Sequence, residues 1–113
     1  MVYKRQALFD TLREKAFGSI TASFTTLGVA LTSEAVIVTL INDTNANLYF
    51  SVDGTNNQFY LPNSSATIID IRANSPGDGL FIASGTQFYV KHDGSAPTSG
   101  LAALQIVYAG GIN

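Results

Sequence analysis

The side chains that could do chemistry in this chain are few, and each class runs short of a partner. A hydrolytic triad needs a base, and the single histidine, His92, lies beside Asp93 and Gly94 in a turn-like stretch with no G-x-S-x-G elbow to activate. There is no cysteine, which removes thiolate nucleophiles, thiolate zinc sites and disulfides. Two-carboxylate glycosidase chemistry needs acids facing across a cleft. Of the eight acids, Asp43, Asp53, Asp78 and Asp93 fall in turn sequences, where Asp bonds its own backbone. Asp70 is the one acid expected inside a strand, on the same face as Arg72, where a charge pair accounts for it. The oxygen-rich stretches 42–47 (NDTNAN) and 53–57 (DGTNN) offer calcium one carboxylate each and lack EF-hand spacing, so hydrogen-bonded turns are expected there and no metal site. Gly77-Asp78-Gly79 and Gly110-Gly111 are not followed by the lysine of a phosphate-binding loop. No catalytic residue, cofactor or metal is therefore expected, and the chain is read as non-enzymatic.

The aromatic residues carry more information. Tyr49/Phe50, Phe59/Tyr60 and Phe88/Tyr89 are adjacent pairs on expected strands. Neighbours on a strand point to opposite faces, so each pair places one ring in the core and the other outside. Tyr49, Tyr60 and Tyr89 are the outward candidates, for a protein interface or a carbohydrate platform.

The elements that must position these residues follow from periodicity. Over 3–17, Leu8, Phe9, Leu12 and Ala16 recur at helical spacing, with Lys15 in the last turn and Gly18 placed to end the element. This predicts an N-terminal α-helix, with residues 1–18 as a helical arm and 19–113 as a β domain. So short a helix is marginal alone, and its stripe needs burial against its own sheet or a neighbouring subunit. From Ser19 the period changes to two. Strands are expected at Ile20–Thr25, 35–41 (AVIVTLI, the best central strand), Leu48–Val52, Gln58–Leu61, Ala66–Arg72, Leu80–Ala83, Thr86–Lys91 and Leu101–Tyr108. Asp53-Gly54 marks a hairpin, and residues 74–79 mark a loop. About eight short strands separated by turn signals predict a mainly β chain folded as an antiparallel β-sandwich, jelly-roll-like or related.

Composition agrees with that class. The chain has 113 residues, one domain by length, with 12% charged residues against about 25% in typical domains. Thr, Ser, Asn and Gly supply the polar surface, as suits strands joined by turns or life inside an assembly. Lys4, Arg5, Arg13 and Lys15, set against Asp10 and Glu14, make the first fifteen residues +2; the total of −2 leaves −4 for the remainder. An acidic body with Arg72 and Lys91 as its cations is not built to neutralise phosphates, so no nucleic-acid partner is expected. No apolar run approaches the ~18–20 residues that span a bilayer, and no secretory signal is recognisable.

The order of features carries a resemblance. A helical lead (YKRQALFDTLREKAFGSI) precedes a strand ending I-N-D-T-N-A-N. There follow an L-Y-F-S-V-D-G-T-N-N hairpin and a late G-T-Q-F-Y-V-K…S-A-P-T-S-G…Q-I-V-Y-A-G. Across nearly the whole chain this resembles small virion structural proteins of tailed bacteriophages, the capsid-decorating, neck or tail accessory type. The resemblance implies a virion location and a non-enzymatic β-sandwich assembling in many copies against capsid, neck or tail subunits. With it, Leu8, Phe9 and Leu12 are expected as anchors of a helix docked on a neighbour. A homo-oligomer is expected and a small-molecule ligand is not. The alternative is a carbohydrate- or receptor-binding module using Tyr49, Tyr60 or Tyr89.

Overall fold

The run from Ala35 is apolar and β-branched, and it forms the longest internal strand of the computed structural model, which describes residues 5–71 and 81–112. Among these residues the strands are β1 (Arg5–Phe9), β2 (Arg13–Ala16), β3 (Thr25–Thr26), β4 (Ala35–Thr44), β5 (Leu48–Ser51), β6 (Phe59–Leu61), β7 (Ser65–Asp70), β8 (Tyr89–His92) and β9 (Gly100–Ile112). They form two antiparallel sheets. In the first the order is β1-β9-β4-β7, with β2 also paired to β9; in the second it is β3-β8-β5-β6. The β5–β6 hairpin stays within one sheet. At every other step from β2 onward, β2 to β3, β3 to β4, β4 to β5, β6 to β7, β7 to β8 and β8 to β9, successive strands lie in different sheets.

Alternation builds the core between the sheets. Val38, Leu40, Leu104 and Ile106 from the first sheet meet Leu48, Phe50 and Val90 from the second, with Phe88 and Leu27 beside them, all buried. Each fully buried side chain of this size contributes about 1.5–3 kcal/mol. The chain therefore holds together chiefly through apolar contact. The central-strand expectation for 35–41 holds, and the strand continues three residues further than the sequence indicated. Asn42 and Thr44 remain in it because their polar groups are satisfied inside. Asn42 Nδ2 donates to the carbonyls of Ala46 (2.8 Å) and Leu61 (3.0 Å), and its Oδ1 accepts from Thr44 N (3.0 Å) and Thr44 Oγ1 (2.6 Å). The turn expected at 42–47 shrinks to 45–47.

The N-terminal α-helix does not form. Residues 5–9 and 13–16 are strands, followed by a single 3-10 turn, Phe17–Ser19. A lone short helix is marginal, whereas β9 runs for thirteen residues and offers a row of backbone groups to pair. β1 pairs with its far half and β2 with its near half (Phe9 opposite Val107, Arg13 opposite Leu104). Between them three residues, 10–12, face two, Gln105 and Ile106, a bulge held by Asp10 N donating to Ile106 O (3.2 Å).

Other expectations are met in part. The strand expected from Ile20 is reduced to β3, and near 80–83 a single bridge joins Ile82 to Ala35. β8 begins three residues later than Thr86. The 74–79 loop and Arg72 lie outside the described residues.

Candidate interaction surfaces

Register decides which side chains leave the first sheet outward. On β4, Ile37, Thr39 and Ile41 are half-buried while Val38 and Leu40 face the core. Ile37 lies beside Val107 and Asp70, Thr39 beside Gln105 and Ile68, and Ile41 beside Ala103 and Ala66. The outer face is thus mostly apolar across all its strands. Ile68 stands 67% exposed on β7 and Phe9 80% exposed on β1. Leu12, 43% exposed, emerges from the bulge between β1 and β2. Two shallow depressions flank it, about 340 Å³ against Phe9, Thr39, Gln105 and Val107, and about 400 Å³ against Ile41, Ala66, Leu101 and Ala103. Exposed apolar side chains gathered on one face in this way are uncommon on a folded chain that stays alone.

Of the three residues expected to anchor a docked helix, Phe9 and Leu12 share this face. Leu8 does not: as a strand neighbour of Phe9 it lies in register with core-facing Tyr108 and is 47% exposed at the end of the sandwich. The helical stripe that grouped all three does not exist. Reading the lead as a helix also hid Ile37, Thr39, Ile41 and Ile68. The signal for the first three was present in AVIVTLI, a strand apolar on both faces, which implies cover on both.

The three aromatic pairs divide as their spacing requires. Phe50 and Phe88 are buried and Phe59 packs against the core, while Tyr49, Tyr60 and Tyr89 leave the second sheet outward. Tyr49 and Tyr60 are register partners with ring centroids 5.4 Å apart and planes tilted by 51°. On the other side of Tyr49, Lys91 Nζ lies 5.7 Å from its ring centroid and 4.7 Å from that of Phe24. The ammonium thus sits between two ring faces, a cation–π arrangement. Tyr89 is set apart from this row. The turn at Gly54 lies on it, so closely that a Cβ there would come within 3.3 Å of the ring.

The acid and the histidine singled out in the sequence sit in different surroundings. Asp53 accepts hydrogen bonds from Asn56 N (2.9 Å), Thr55 N (2.8 Å), Asn56 Nδ2 (2.7 Å) and Ser51 Oγ (2.8 Å). These donors, the Asn56 and Thr55 backbone first, hold its carboxyl far below the usual carboxylate range. Both oxygens of the D-G-T-N-N turn are occupied by the turn itself. His92 lies half-buried in register with Leu48, and its Nδ1 is buried without a hydrogen-bond partner. Among the described residues no three of His, Cys, Asp and Glu come together as metal ligands, and no helix is long and apolar enough to cross a membrane.

One polar cluster went unrecognised in the sequence. Arg13, read in the sequence only as one of the cations of the lead, is 8% exposed. Its Nη1 donates to Asp10 Oδ2 at 2.6 Å and its Nε to the Val29 carbonyl at 2.9 Å. Tyr108 OH also donates to Asp10 Oδ2 (2.5 Å) and accepts from Thr32 N (3.3 Å). The Tyr108 hydroxyl and then the Arg13 guanidinium lower the pKa of Asp10. The cluster ties the bulge to the 28–32 loop and to β9. Gly28 permits it, since a Cβ there would lie 2.6 Å from Arg13 Cγ.

Comparison with profiles of known protein families, with curated proteins and with solved structures finds no match.

Proposed function

We propose that this chain is a non-enzymatic structural protein of a bacteriophage virion, assembling in multiple copies through protein–protein contacts on the capsid or the head–tail region. The observation that carries the reading is the outer face of the first sheet, apolar from Phe9 through Ile37 and Ile41 to Ile68, which calls for a protein against it. Strand order supports it. With β1 and β2 counted as one interrupted strand, the sheets read first-eighth-third-sixth and second-seventh-fourth-fifth. That is the order of a jelly roll, an architecture of viral capsid and lectin domains. The low charged share fits a chain whose surface is covered in an assembly. Immunoblotting of purified particles of a phage that encodes the chain tests this: the chain co-purifies with the particles at fixed stoichiometry. Recovery from the lysate alone, with none in the particles, refutes it.

A second reading, a carbohydrate- or receptor-binding module, has its own observation in the Tyr49–Tyr60 pair beside Lys91. A glycan array with the protein and its Tyr60→Ala variant decides it. Reproducible binding lost in the variant favours this reading, and an empty array removes it.

A further inference from the structure

The outer face of the first sheet carries Phe9, Leu12 and Ile68, all exposed. We propose that its occupant is a second copy of this chain, packed sheet on sheet about a two-fold axis that runs parallel to the strands, midway between β9 and β4. The proposal deepens the reading of this face as a contact surface by naming the partner.

Area is the first argument. Four strands about 4.8 Å apart, each presenting roughly eight residues at about 3.4 Å, make a face of about 500 Å². Two such faces in contact withdraw about 1,000 Å², the level at which specific interfaces begin. Aligned sheets pack about 10 Å apart, close enough for outward side chains to interdigitate.

Register is the second argument, and it selects the axis. The middle row of the face runs Leu12 at the bulge, Gln105, Thr39, Ile68. The stated axis lays this row on its own reverse. Ile68, 67% exposed on β7, then meets the partner's bulge, where the depressions flank Leu12. Gln105 meets Thr39, and each side chain can both donate and accept a hydrogen bond, so the polar centre of the face is satisfied twice by symmetry.

Charge is the third argument. Among the described residues the acids on this face are Glu14, Asp43 and Asp70, in register with Ala103, Leu101 and Ile37 respectively, and Asp10 at the bulge, which is paired with Arg13. Under the same operation Glu14 falls opposite Ala66, Asp43 opposite Leu101 and Asp70 opposite Phe9. No acid faces an acid, which an arbitrary self-contact of an acidic chain would not guarantee.

Light scattering on the size-separated full chain is the first measurement, with a mass of twice 12.0 kDa expected. Ile68→Lys and, separately, Leu12→Lys then give the monomer mass with an unchanged far-UV circular dichroism spectrum, while Tyr60→Ser on the opposite sheet stays dimeric. The chain has no cysteine, so engineered ones report the axis without interference. Under oxidation, Leu12→Cys protein mixed with Ile68→Cys protein forms a mixed disulfide. Ile68→Cys alone forms none, because its two copies lie about three strand spacings apart, beyond disulfide reach. The cysteine pair also serves if either lysine variant fails to fold. A monomer at every concentration overturns the proposal, as does a dimer indifferent to both lysine substitutions. An Ile68–Ile68 disulfide overturns the axis. A chain that is monomeric in solution yet present in purified particles loses this proposal and keeps the virion reading.

Discussion

Replacing Arg13 by Met tests whether the N-terminal lead is an integral part of the sandwich. Met keeps much of the stem that lies over Gly28 and removes the guanidinium. Asp10 then loses its 2.6 Å ion pair and the Val29 carbonyl loses its 2.9 Å donor. Breaking a fully buried pair costs about 3–5 kcal/mol. Here Arg13 is 7% exposed by side chain but Asp10 is 23%, so water partly replaces the lost partner. The Thr11 N–H and Tyr108 hydroxyl also remain on the carboxylate. The expected cost is therefore about 2–3 kcal/mol in urea denaturation of the full chain, by the same reasoning. A double-mutant cycle with Asp10→Asn should return a coupling of about 1–2 kcal/mol, within the range for residues in one network. The pH dependence has a definite sign. The folded state lowers the pKa of Asp10 from 3.8, so its contribution is complete above that value and is lost as pH falls through the lower folded value. The gap between wild type and Asp10→Asn should accordingly close in that acid window and stay constant at neutral pH. A loss below about 0.5 kcal/mol for Arg13→Met, the level of an ordinary surface change, would refute the cluster as the anchor of β1 and β2.

Two further substitutions probe backbone geometry. Gly100 has φ +88° and a Cβ there would sit 1.8 Å from the Asp43 carbonyl oxygen. Gly100→Ala should cost about 3 kcal/mol or more, combining left-handed strain with a forced separation of β4 and β9; a thermal melt equal to wild type contradicts this. Ser64 is the one non-glycine residue at positive φ (55°) among the described residues. Ser64→Gly should stabilise by about 0.5–1 kcal/mol by relieving that strain, and a lower denaturation midpoint would count against it.

The mainly β class, the central strand and the Asp53-Gly54 hairpin were legible because they rest on local signals: alternation at period two, β-branched runs and turn residues. The split of each aromatic pair was legible for the same reason, since strand neighbours necessarily diverge. Residues 3–17 misled because local spacing there fits a helix equally well. Leu8, Phe9, Leu12 and Ala16 do make a stripe, and the spacing carries no information about β9, whose unpaired backbone lies some ninety residues downstream in the sequence. The burial of Arg13 was not legible for the same reason, because its partners Val29 and Tyr108 are distant along the chain.

Sequence by itself thus determined what kind of chain this is: low in charge, without cysteine, with one histidine and its turn acids suited to their own backbones. It also determined which rings must turn outward. Only the tertiary structure decided that the lead is a pair of strands and that Phe9, Leu12 and Ile68 share one apolar face. The physical reason is that a strand's hydrogen-bond partners are remote in sequence. Register between β9, β4 and β7 aligns side chains that no local pattern connects.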